Sequence, residues 1–165
     1  MTDYWNKKTL VLGCGNILFG DDGFGPEAVE YFKTHYEIPE NTYVENVGIS
    51  VREILFNVAL AEKRPEHIFI VDAVDRGRLP GEVFQMEIDD LPENKTDDFS
   101  MHTIPSSNLL RDLEETGIDV AIIVCQVGCI PESVAPGLSE PVRQAIPVAC
   151  DLLQAELKKL EDANA

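Results

Sequence analysis

The sequence predicts an α/β fold: a three-layer α/β/α sandwich around a mostly parallel central sheet of about five strands. Three observations predict it. Short apolar runs alternate along the chain with segments of helical period. The central run, "HIFIVDAV", is too apolar for a solvated face, so its strand is expected to be covered on both sides. The length, 165 residues, suits one compact domain with a full core.

The elements follow in order. "TLVLGC" reads as a buried first strand. "GPEAVEYFKTHY" reads as a helix with Pro26 at its first position and an apolar stripe of Val29, Phe32 and Tyr36. "TYVENV" is a second strand. "SVREILFNVALAE" is a second helix, with Ser50 as N-cap and Glu53 completing a capping box. "HIFIVDAV" is the third strand, and "GEVFQMEI" alternates as a strand nearer the edge does. The stretch "DDLPENKTDDFSMHTIP" is polar and long for a connection, a feature of functional loops. "SSNLLRDLEETG" is a helix closed by Gly117, and "VAIIVCQVG" is another buried strand. After the loop "CIPESVAPGLS", the segment "EPVRQAIPVACDLLQAELKKL" is a long final helix. Its stripe is Val142, Ala145, Ile146, Ala149, Leu152, Leu153 and Leu160, with a kink expected at Pro147. The tail "EDANA" is expected to fray.

The charge narrows the partners. Thirty acids against 13 bases give a formal net charge of -17. No nucleic acid is expected as a partner, because phosphate binding needs clustered Lys and Arg. No membrane is expected either: an anionic surface would repel the chain, and no apolar run reaches the roughly 18 residues of a spanning helix. The N-terminus runs almost directly into the first strand, so no secretory leader is expected. Cys14, Cys125, Cys129 and Cys150 lack CxxC spacing and read as reduced core thiols of a cytoplasmic protein.

In a parallel sheet, ligands bind beyond the carboxyl ends of the strands. There the first strand runs into "GCGNILFGDDGFG". A dinucleotide loop needs three spaced glycines, the third for close helix–strand packing. Gly13 and Gly15 fit, but the third place falls on Leu18. Asp21 and Asp22 would also repel a pyrophosphate, at about 4 kcal/mol for charges about 4 Å apart near a surface. The loop therefore suits a cation. One of the two acids is expected to be a structural cap. Asp72 ends the apolar run "HIFIVD" toward the carboxyl end of the third strand, where a buried carboxylate is costly without a partner; the common alternative is a cap on its own next turn. His102 lies in the long polar loop. Asp22, Asp72 and His102 at one sheet edge would suit a borderline divalent ion with open coordination positions.

"GCGNILFGDDGFG", "FIVDAV", "MH" and "VGCIPES…GLS", in this order over nearly the whole chain, resemble the NiFe-hydrogenase maturation endopeptidases. "GDDGFGP" looks most like the branch serving the deazaflavin-coenzyme-reducing hydrogenases of methanogenic archaea. The resemblance implies one domain over residues 1–165. It implies an endopeptidase that removes a C-terminal extension from the hydrogenase large-subunit precursor after nickel insertion. By motif match, Asp22, Asp72 and His102 are the metal-contacting positions, and the nickel is carried by the substrate. The isolated protein could hold another divalent metal. Many members carry an Asp in the glycine-rich turn after the second strand; here Asn46 stands there, with Gly48 keeping the turn. Asn46 and Gly48 are thus expected to touch substrate, and Asn46 cannot act as a carboxylate base. Strand alternation would point the neighbouring Glu45 to the opposite face.

No GxSxG elbow, HExxH or Ser-His-Asp order is present, so no residue is assigned as a catalytic nucleophile. A metal can polarise a carbonyl or lower the pKa of bound water, which leaves metal-assisted hydrolysis. Two rivals remain at this point: a non-catalytic nickel-binding or delivery module, disfavoured by only three scattered histidines, and a hydrolase with its own zinc.

Overall fold

The computed structural model describes residues 6–91 and 107–163. Five strands form one sheet in the order β2-β1-β3-β5-β4. They are β1 (Thr9–Cys14), β2 (Thr42–Gly48), β3 (His67–Val74), β4 (Val83–Met86) and β5 (Asp119–Gln126). The first three pair in parallel, as do β3 and β5; only β4 runs antiparallel, at an edge. Around them lie α1 (Phe24–His35), α2 (Val51–Leu60), α3 (Ser107–Glu115) and α4 (Glu140–Ala163). This is the expected three-layer α/β arrangement.

The apolar runs explain the layers. All six residues of β1 are buried. Successive side chains of a strand face opposite ways. Val11, Phe69, Val71 and Ile123 therefore join α1 and α4, through Phe24, Phe32, Ala145 and Leu153. Leu10, Leu12, Ile68 and Ile70 join α2 and α3 on the other side, through Val51, Leu55, Leu110 and Leu113. A strand buried on both faces has no polar register, which is why "HIFIVDAV" reads as it does.

The connection from β1 leads to β2 on one side of the sheet, whereas β3 leads toward β5 and β4 on the other. The crevice beyond the carboxyl ends of β1 and β3 is thus the topological switch point, where such sheets take their ligands.

Several local expectations need correction. Pro26 is the third residue of α1, because the helix begins at Phe24 directly after a 3₁₀ turn, Gly20–Gly23. It still lies in the first turn, where no intrahelical N–H is required. Ser50 stands at the N-cap of α2, but its side chain makes no capping hydrogen bond, so the capping box is not formed. Its own N–H instead closes the preceding turn on the carbonyl of Val47, at 2.9 Å. In α4, Cys150 and Leu157 are buried along with Leu153, whereas Leu152 and Leu160 are half-buried. The helix continues through Pro147, which is exposed.

All four cysteines are free. Cys14, Cys125 and Cys150 are buried as expected, but Cys129 is exposed on the loop after β5. Burial, with the charge of Asp21 behind it, pushes the Cys125 thiol up to about 12. Burial and Asp151 do the same for Cys150, to about 12. Burial and then Asp72 hold Cys14 well above the usual thiol range. Only the thiolate alkylates. Iodoacetamide at mildly alkaline pH should therefore add one label to the native protein, at Cys129, and four after denaturation. Intact-mass measurement checks this; a second label on the folded chain would contradict it.

Candidate functional site

Two carboxylates meet at the switch point. Asp22 lies on the 3₁₀ turn after β1, and Asp72 lies near the end of β3; both are fully buried. They are near enough for the charge of Asp22 to act on Asp72. The Asp72 carboxyl is held well above the usual carboxylate range, first by burial and then by Asp22, against an opposing hydrogen bond from Ala73.

The turn that delivers Asp22 is built by glycine. Gly15 has φ 140, and a Cβ there would lie 2.0 Å from the carbonyl oxygen of Asp22. Only glycine permits this return of the chain. The Asn16 amide oxygen accepts the N–H of Leu18, and the Asn16 N–H donates to Asp22 Oδ2 at 3.0 Å. The close helix–strand contact that a dinucleotide loop places at its third glycine occurs here at Gly25. A Cβ on Gly25 would meet the carbonyl oxygens of Cys14 and Val71 at 2.2 and 2.3 Å. Gly15 and Gly25 thus serve close approach of backbone to backbone.

The two oxygens of Asp72 are used differently. Oδ1 accepts the N–H of Ala73 at 2.7 Å, a bond to the next residue within β3 and not a cap on a following turn. Oδ2 is buried and has no hydrogen-bond partner among the described residues. Such an orphan acceptor calls for a ligand or a function.

Asp21 is the structural member of the acidic pair. Its Oδ2 accepts the N–H of Gly128 and of Cys129 and the hydroxyl of Ser139, each at 2.8 Å. Its Oδ1 accepts the Ser139 N–H at 2.6 Å. It caps not its own helix, as a local reading would have it, but the loop before α4.

Asn46 and Gly48 form the third corner. The bulge that shifts the β1–β2 register between Gly13 and Cys14 falls here. Gly48, at φ 54, donates its N–H to Asn46 Oδ1 at 3.1 Å and accepts the Gly15 N–H at 3.0 Å. The turn after β2 is thereby tied to the turn after β1. Asn46 also lines a cleft of about 620 Å³ with Ile17, Pro26, Glu27, Tyr31 and Pro136. Glu45 is engaged by the hydroxyl of Tyr43, its same-face neighbour two residues back.

His102 lies outside the described residues, within the segment linking Leu91 to α3. Leu91 and Leu110, on either side of it, pack in the α2–α3 layer that also holds Cys14 and Val74. Among the described residues, no group of three or more His, Cys, Asp or Glu is arranged to hold a metal ion. Two oxygen donors suit a borderline or hard divalent ion but do not fill its coordination shell. Sequence reading missed the gathering role of Asp21, whose partners lie 107 to 118 residues away.

A model of the hydrogenase maturation protease family matches residues 26–156, taking in β2 to β5 and Asp72. The chain belongs to that family. Its activity class is accordingly that of a peptidase, in hydrogenase maturation. A Methanocaldococcus jannaschii protein with a provisional hydrogenase maturation protease name is 37% identical over 155 residues, covering 93% of this chain and 98% of that one. The coenzyme F420 hydrogenase subunit delta of Methanothermobacter thermautotrophicus is 36% identical over 162 residues, covering 93% and 96%. The fold matches the hydrogenase maturating endopeptidase of Escherichia coli with a TM-score of 0.66 and 26% identity, over 92% of this protease and 93% of that chain. These relatives agree with the family, and the two methanogen proteins with the branch, that the first motif resembles. Among the described residues of the protease, no helix is long and apolar enough to cross a membrane.

Proposed function

We propose that the protease removes the C-terminal extension of a NiFe-hydrogenase large-subunit precursor after nickel insertion, in the cytoplasm, and that it recognises the nickel the precursor carries. The observation that carries this reading is the pair Asp22 and Asp72, buried together at the switch point, with Asp72 Oδ2 lacking a hydrogen-bond partner among the described residues. Two buried like charges are unfavourable unless one takes a proton or a cation joins them. An ion delivered by the substrate satisfies both and leaves positions open for substrate ligands.

In this reading Asp22 and Asp72 bind the nickel-bearing end of the precursor, with His102 as the third protein donor. The turn of Asn46 and Gly48 contacts the substrate chain beside the cleft. Nickel, when bound, polarises the scissile carbonyl or acidifies a water. Asn46 has no carboxylate to take a proton, so the turn positions rather than acts as base.

The test is cleavage of purified precursor in its nickel-loaded and nickel-free forms, followed by mass spectrometry. The expected result is loss of a C-terminal peptide from the loaded form alone. Equal cutting of both forms would remove nickel recognition from the account. Tight retention of nickel without peptide release would favour a delivery module instead. The deazaflavin-coenzyme-reducing hydrogenase of a methanogen is the first precursor to try, given the motif resemblance and the name of the Methanothermobacter relative.

A further inference from the structure

The motif "VGCIPES…GLS" has no part in the chemistry above, yet its backbone ends on the same side of the sheet. Its loop lies along the turn that carries Asp22. Gly20 N–H donates to the Ala135 carbonyl at 2.9 Å, Asp21 N–H to the Cys129 carbonyl at 3.1 Å, and Ala135 N–H to the Leu18 carbonyl at 2.8 Å. Across this seam sits the Asp21 carboxylate, which gathers Gly128, Cys129 and Ser139. Asp21 and Asp22 are consecutive, but their carboxylates serve different partners: Asp22 Oδ2 faces Asn16, and Asp21 faces the loop.

We infer that Asp21 is a positioning residue for peptide cleavage, locking the Asp22 turn and the 128–139 loop into one wall of the substrate cleft. The inference rests on the reading of Asp22 as a nickel-facing carboxylate. Three features carry it. Every partner of the Asp21 side chain belongs to the loop or to Ser139 at its end, so the carboxylate joins two segments of the site rim. Pro136 and Gly137 of that loop line the cleft beside Ile17 and Asn46. The donor set is specific: all four groups donate, which a carboxylate matches and an amide does not. An Asn here would set its NH₂ against an N–H or hydroxyl donor.

The decisive variant is Asp21→Asn, studied in the full chain. Two readouts are taken at a temperature where its melting curve shows it folded. The first is the ¹H–¹⁵N resonance of Asn16, whose N–H reports on Asp22 Oδ2 without touching Asp21. The second is turnover of nickel-loaded precursor. Positioning predicts that the Asn16 resonance moves and that kcat falls about tenfold or more, as for groups that orient a ligand. A merely structural role predicts a lower melting temperature, with the Asn16 resonance in place and kcat unchanged; that result overturns the inference. If Asp21→Asn does not fold, Ser139→Ala, which removes one of the four donors, is read the same way. A shifted Asn16 resonance with a smaller loss of kcat supports the inference, and no change in either overturns it. Asp22→Asn separates the two levels. Normal cleavage by that variant would sink the reading of Asp22, and the inference with it, even where Asp21→Asn still moves Asn16.

Discussion

Asp72→Asn should abolish precursor cleavage, by about 10²-fold or more, while making the isolated protein more stable. The two effects share one cause. The Asp72 carboxyl is fully buried near Asp22, and its Oδ2 is without a hydrogen-bond partner among the described residues. Such a group disfavours folding when ionised. Its affinity for protons is higher folded than unfolded, so stability falls as pH rises from the ordinary carboxylate range through the raised folded value. Asn has no charge to desolvate, and its Oδ1 can keep the Ala73 bond. The variant should therefore melt higher than the parent at neutral pH, and the difference should shrink on acidification. Calorimetry from pH 4 to 8, with the cleavage assay alongside, checks both signs. A variant that cleaves normally, or one less stable at pH 7, would contradict this account.

Gly25→Ala should cost about 3 kcal/mol or more of stability, against the helical preference for alanine. In an unconstrained helix that exchange gains about 0.5–1 kcal/mol. Here the added carbon would stand 2.2 Å from the Cys14 carbonyl oxygen, 2.3 Å from that of Val71 and 2.7 Å from the Cys14 nitrogen. All three are backbone atoms of the central strands β1 and β3, which are hydrogen-bonded to each other and cannot yield separately. The clash outweighs the propensity. Urea denaturation checks the size; a neutral or stabilising result would mean that α1 can lift from the sheet at little expense.

The sheet was legible from sequence because buried parallel strands need uninterrupted apolar runs, and TLVLGC and HIFIVDAV have them. Their carboxyl ends then located Asp22 and Asp72. What sequence could not reach was decided by distant contacts. Nothing local distinguishes Asp21 from Asp22, since the donors that claim Asp21 come from Gly128, Cys129 and Ser139. The close-packing glycine was sought at position 18 because a dinucleotide loop passes straight into its helix. Here the 3₁₀ turn intervenes, and the duty passes to Gly25. The Ser50 capping box had the right residue types, but the chain enters α2 through a turn on Val47 and the serine side chain is not used. Cys129 sits next to an apolar strand in sequence, yet the strand ends at Gln126 and the thiol faces solvent.

The parallel strands also give the molecule a quiet end. β1, β2, β3 and β5 all point their carboxyl termini toward the acidic crevice, so the segments entering them gather at the far rim. Glu62 and Lys63 are exposed there, between α2 and β3. A fluorophore attached at Glu62→Cys, in a chain whose exposed Cys129 is replaced by Ser, would ride a full strand length from the chemistry. It would turn the enzyme into its own reporter of precursor capture, with the reacting end left untouched.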